Sequence, residues 1–157
     1  MKRTIGYIAI LAALFAAPVE QMEVGKLIPV QAISIYREND YYVLETNTGN
    51  KGTGDTLELA LENMKDTASG TIYLDTAQYL LFTDGAKEAP VMLRQKLKRN
   101  VRMAELEAPV EMDGVAQFLD AHGKLPKLKN WKTGAELPVL SKYEDSYIFL
   151  KKVENNA

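Results

Sequence analysis

Apolar and polar positions change texture several times along the chain, and each change marks an element. Residues 27–36 are dominated by apolar and β-branched side chains and read as a strand. The polar cluster Arg37, Glu38, Asn39 and Asp40 then predicts a turn, and residues 41–46 a second strand paired back onto the first as a hairpin with a four-residue loop. Residues 47–54 are polar and glycine-rich and read as a loop. Leu57, Ala60, Leu61 and Met64 stand at i, i+3, i+4 and i+7, so residues 56–67 are expected to form an amphipathic helix. Asp55 followed by Glu58 has the spacing of a capping box at its start.

Residues 71–75 and 78–83 read as short extended pieces, the second central in a sheet because it is apolar on both faces. Pro90 near the first turn predicts a helix over 89–99, and alternation over 102–108 predicts a strand. Asp113 is the expected cap of a third helix carrying Val115, Phe118 and Leu119 on its apolar stripe and ended by Gly123. Residues 125–131 and 133–138 are irregular, and 147–153 read as a last strand paired with 139–143. Strands and helices interleave while hairpins flank both ends. The expected fold class is therefore α/β, a single domain with a mixed β-sheet and about three packed helices.

The N-terminus departs from this pattern. Lys2 and Arg3 precede a 13-residue, mainly apolar run, Ile5 to Ala17, which Pro18 and Glu20 end. A basic start and an apolar stretch of about 7–15 residues are two parts of a signal sequence. The run is short for a spanning helix, which needs about 20 residues. With Ala16 or Ala17 at a cleavage point, Leu14 or Phe15 would occupy the position two residues earlier, where a small side chain is preferred. Residues 1–19 are thus expected to be a signal peptide or a signal anchor, and residues 20–157 a single domain, exported or anchored on the extracytoplasmic side.

Composition narrows the functional classes. A net charge of -2 and a pI near 5.5 argue against a nucleic-acid partner. The chain has no cysteine, which excludes disulfides, thiolate catalysis, thiolate metal sites and a lipid anchor on cysteine. At 157 residues it is long enough to bury a core without such staples.

Candidate chemistry is sparse. Gly49, Gly52 and Gly54 precede a helix, but their spacing is neither the dinucleotide fingerprint nor a P-loop, and Asp55 and Glu58 place negative charge where phosphates would sit. A flexible connector is the expectation there. His122, after Asp120 and before Gly123, is explained by its place at a helix end. Asp66 with Asp75, or Glu105 with Glu107, would supply a carboxylate pair for a hydrolase, but with 21 acidic residues such pairs arise by chance and a solvated face is the expected reading. Trp131, Tyr143 and Tyr147 either seal the edge of a core or line a partner or ligand groove. Lys124, Lys127, Lys129 and Lys132 form a local basic patch that could meet anionic headgroups or simply be solvated. No catalytic, cofactor-binding or metal-binding residue is assigned, no cofactor is expected, and the chain is expected not to be an enzyme.

Several segments together carry a family pattern. Glu23, Val24, Leu27, Val30, Ala32 and Ile33 lead into a strand, followed by residues 54–65 and then 72–82. This resembles the N-terminal domain of the Ger(x)C-type spore germination proteins, lipoprotein subunits of nutrient germinant receptors. Residues 56–64 match the family's helix, and Asp75 and Thr76 stand where Gly-His is usual. Residues 89–108 would supply the later helix and strand. The resemblance covers about residues 20–123 and implies an extracytoplasmic, membrane-associated protein-interaction domain without catalysis, with a membrane or membrane-protein receptor subunits as partners. The family's lipid-bearing cysteine is absent here, and family members continue into further domains. A secreted small-ligand-binding protein or a carboxylate-dependent hydrolase is the alternative.

Overall fold

The computed structural model describes residues 26–151; the expected signal or anchor at 1–19 lies outside the described residues. The fold is α/β, as expected. A seven-stranded mixed sheet has the order β4-β3-β2-β6-β7-β8-β9, and a small two-stranded parallel sheet joins β1 to β5. In chain order the strands are β1 (Leu27–Pro29), β2 (Ala32–Glu38), β3 (Tyr41–Thr46), β4 (Lys51–Gly54), β5 (Thr71–Tyr73), β6 (Tyr79–Thr83), β7 (Arg102–Leu106), β8 (Val139–Tyr143) and β9 (Ser146–Lys151). The helices are α1 (Leu57–Thr67), α2 (Ala89–Leu93) and α3 (Val115–His122). No helix among the described residues is long and apolar enough to cross a membrane.

The run 27–36 expected as one strand is two. Between them the Gln31 and Ala32 amides donate to Asn47 Oδ1, and the Gln31 carbonyl accepts from Gln78 and Tyr79. Those bonds move the chain from the small sheet to the large one. The first hairpin is tighter than expected, because Asn39 and Asp40 both take positive φ (50° and 70°) and close a two-residue turn.

β2, β6, β7 and β8 run parallel, while β3, β4 and β9 are antiparallel to their neighbours. The first face of the sheet, with Ile33, Ile35, Leu80, Phe82 and Met103, packs under α1 and α2. Leu57, Ala60, Leu61 and Met64 supply the buried stripe of α1, as its periodicity predicts. The second face, with Ala32, Tyr79, Leu81, Ala104 and Leu106, packs under Val115, Ala116 and Leu119 of α3. The link from β7 to β8 wraps around the sheet. Leu125 belongs to the second-face core, an antiparallel bridge pairs Lys127 with Arg102, and Leu128, Trp131 and Leu137 belong to the first.

Both expected caps shift by one residue. Thr56, not Asp55, caps α1, its hydroxyl accepting from the Leu59 amide at 3.2 Å. Asp113 does not cap α3; Gly114 stands at that position in the left-handed region (φ 73°), with no side-chain cap. The expected helix over 89–99 is a regular helix only to Leu93, continuing as turns that bury Leu97.

The largest correction concerns the glycine-rich segment, which is not a flexible connector. After the Asn47–Asn50 turn it forms β4, an edge strand paired with β3. A Cβ on Gly52 would stand 2.5 Å from the Met64 amide nitrogen and closer still to the Ala60 carbonyl, and one on Gly54 2.6 Å from the Ala60 nitrogen. Glycine is there to let α1 lie directly on the strand. Gly52→Ala is therefore expected to destabilise the domain by about 1–3 kcal/mol, because backbone rather than a flexible side chain opposes the new methyl. At Gly85, where the nearest atom to an added Cβ is Arg37 Cβ at 3.8 Å, alanine should change stability by under ~0.5 kcal/mol. Urea denaturation of the two variants checks both.

Candidate functional site

The residues singled out for chemistry are dispersed by the fold. Asp66 is exposed on α1 and Asp75 on the 3-10 turn before β6. Glu105 is half-buried near the end of β7, and Glu107 is exposed just beyond it. Among the described residues no cluster of three or more His, Asp or Glu could hold a metal. His122 is exposed at the last turn of α3, its Nδ1 3.0 Å from the Phe118 carbonyl and its ring stacked on Phe118 at 4.6 Å. With Gly52 and Gly54 pressed against α1, the glycine segment presents no open phosphate cradle.

One cleft of about 410 Å³ opens at the carboxyl ends of β6 and β7, beside the start of β8; parallel sheets commonly bind ligands at strand carboxyl ends. Phe82 of β6, Glu105 of β7 and Val139 of β8 form its floor, and the segment from Trp131 to Leu137 its wall. Lys87 enters from the other side, ion-paired to Asp84 and with its Nζ 4.0 Å from Glu105 Oε1. The hydrogen bond that Lys87 donates to Asp84, and the charge of Glu105, hold the ammonium above the ordinary lysine value. An ammonium so held can pair with an anion but is a poor nucleophile or base at neutral pH. Trp131 is buried, and its Nε1 has no hydrogen-bond acceptor. The cleft can hold a small amphipathic molecule, and its geometry supplies no nucleophile–base pair.

The tail aromatics do not converge. Trp131 lies on the first face. Tyr147 lies on the second, its hydroxyl donating to the Glu111 and Asp113 carbonyls at 2.5 and 2.7 Å, with Phe118 5.6 Å away. Tyr143 projects at the hairpin end, 67% exposed. The basic residues Lys124, Lys127, Lys129 and Lys132 are all exposed along the segment that rounds the sheet.

The fold also exposes a feature not expected from the sequence. No described strand pairs with the outer side of β9. On the first face of the β8–β9 hairpin Ile148 and Leu150 are 40% and 52% exposed, beside half-buried Val139. On the second face Tyr147 and Phe149 pack with Phe118. An edge strand covered on one face should alternate apolar with polar. The unbroken apolar run of residues 147–150 was the signal, since it supplies apolar residues to a face that nothing described covers.

Comparison with protein-family models, with curated proteins and with solved structures gives no match to this chain.

A part-buried tyrosine–carboxylate–guanidinium cluster lies at the opposite ends of β6 and β7. Tyr79, fully buried in β6, donates through its hydroxyl to Asp120 Oδ1 at 2.5 Å. The Arg102 guanidinium lies 4.7 Å from the ring centroid and 3.7 Å from Asp120. Burial first, and the Asp120 hydrogen bond second, push the phenol up to about 12. The folded state therefore favours the neutral phenol. This contribution is complete below the unfolded value of about 10 and is lost as pH rises from there through 12. Between pH 9 and 11.5 the wild type should lose on the order of 1–2 kcal/mol more stability than Tyr79→Phe, measured by urea denaturation of both.

Proposed function

We propose that the chain is a non-catalytic, extracytoplasmic, membrane-associated domain that acts by protein contact, in the manner of a germinant-receptor subunit. The observation that carries this reading is the uncovered apolar strip of the C-terminal hairpin, Ile148 and Leu150 with Tyr143 at its end. Contiguous apolar exposure beside an unpaired strand marks a contact surface rather than a reaction centre. Dispersal of Asp66, Asp75, Glu105 and Glu107 gives the hydrolase alternative no acid pair to work with. The membrane setting rests on the basic start and apolar run of the first 19 residues.

Fractionation of the native host tests the reading. The protein is expected in the membrane fraction, cut by protease added outside the cells, and, once the membrane is dissolved in detergent, co-sedimenting with the receptor subunit. Leu150→Lys should lower that co-sedimentation about tenfold with little change in melting temperature, since Leu150 is already half exposed. A soluble cytoplasmic protein with an intact N-terminus would sink the reading. Expression unlinked to sporulation, in an organism without spores, would remove the germination part alone.

The cleft beside Trp131 favours a second reading, a secreted small-ligand-binding protein. Trp131 is the only tryptophan in the chain, so a ligand seated there would shift the protein's tryptophan emission. Fluorescence titration with small amphipathic compounds, with Trp131→Phe as the silent control, separates the two readings.

A further inference from the structure

The two edges of the large sheet are built differently. β4 is four residues long, contains two glycines, carries Lys51 and lies under α1. Short length, glycine, lysine and a covering helix are ordinary protections against a further strand. Before its last residue β9 has none of these among the described residues, although a bulge at Leu150 interrupts its pairing with β8. Its six residues, Ser146–Lys151, include no proline or glycine and no charge before the last position.

The outer side of β9 is also self-complementary. The pair Tyr143↔Ser146 closes a two-residue turn at Glu144 and Asp145. In such a hairpin the closing pair is hydrogen-bonded and the bonding alternates from there. Ser146 and Ile148 thus direct their backbone groups toward β8, while Tyr147 and Phe149 direct theirs outward. Two copies related by a two-fold axis through Ile148 would place Tyr147 of each opposite Phe149 of the other, as hydrogen-bonded pairs. Ile148 would then face its own copy in the closer, non-hydrogen-bonded position. The regular register runs from Ser146 to Phe149, ahead of the bulge at Leu150. Aromatic meets aromatic on one face, and isoleucine meets isoleucine on the other.

We propose that β9 pairs antiparallel with β9 of a second copy of this chain, about a two-fold axis at Ile148, making one continuous sheet across a homodimer. Such an interface is isologous and closed, so it ends at two copies. The proposal rests on the protein-contact reading above and deepens it. Pairing uses the backbone edge and leaves Leu150 and Tyr143 of both copies on one widened apolar face for the receptor partner.

The chain's lack of cysteine makes the test clean. At a non-hydrogen-bonded antiparallel pair the Cα atoms stand about 4.5 Å apart, within disulfide range. Ile148→Cys in the purified full chain, in detergent micelles, should therefore shift to dimer mass on mild oxidation. Leu150→Cys, four residues out of register with its own copy, should cross-link at least about tenfold less. Both positions are substantially exposed, and melting curves of the reduced variants verify the fold. Ile148→Cys remaining monomeric, or both variants cross-linking equally through random collision, overturns the dimer. If the chain is monomeric yet still co-sediments with the receptor subunit in a Leu150-dependent way, the dimer fails and the contact reading stands. If neither behaviour is seen, both fail.

Discussion

The fold depends on β6 being apolar on both sides. Tyr79 and Leu81 face one way, Leu80 and Phe82 the other, and all four are essentially inaccessible. A central parallel strand of this kind requires a layer on each face. The crossovers from β2 to β6 and from β6 to β7 advance in one direction across the sheet and place α1 and α2 on the same face. Among the described residues α3, which sits after β7, is the α-helix left to cover the second face. The chain must afterwards return to the first face before β8. It does so between Leu125 and Leu128, anchored by the bridge from Lys127 to Arg102.

That route explains where the candidate sites fall. Because residues 128–137 come back along the first face, Trp131 and Leu137 wall a cleft over the ends of β6 and β7. Because α3 covers the second face, Phe118 reaches Tyr147 and Phe149 and closes that side of the hairpin. Nothing described is left to cover the first face of β8 and β9. The exposed strip thus follows from how the three described helices are shared between two faces of seven strands.

What was legible in the sequence was whatever a local period or propensity decides. The stripe of α1, the double-sided apolarity of β6 and the terminal hairpin all follow from side-chain spacing alone. What was not legible depends on contacts between distant segments. Gly52 and Gly54 look like loop residues until Ala60 and Met64 are laid over them, because a glycine that turns and one that admits a helix have the same local signature. Breaking residues 27–36 into β1 and β2 likewise needs Asn47 and Gln78 as hydrogen-bond partners. Of the candidate site, Trp131 was visible as a residue but its cleft was not, since Phe82, Glu105 and Val139 meet only through strand order. Tyr143 and Tyr147 fell apart from Trp131 because sheet pairing puts them elsewhere.

The uncovered strip can contribute to recognition without any pocket. The ion pairs of the structure are exposed or partly so, at 2.8–4.0 Å where no shorter, and pairs of that kind contribute little to either folding or binding. Full burial of a large aliphatic side chain is worth about 1.5–3 kcal/mol. Ile148 and Leu150 are already about half covered by their own strand neighbours, so a partner would gain about 1 kcal/mol from each. Tyr143 would add a comparable amount, for a total of about 3 kcal/mol, or about a hundredfold in affinity. The gain is modest for one copy; with two strips joined side by side, Leu150 and Tyr143 of both copies would offer about 4 kcal/mol together. A domain with one small strip would then bind a partner weakly alone and firmly in pairs, which ties the free edge of β9 to the apolar residues beside it.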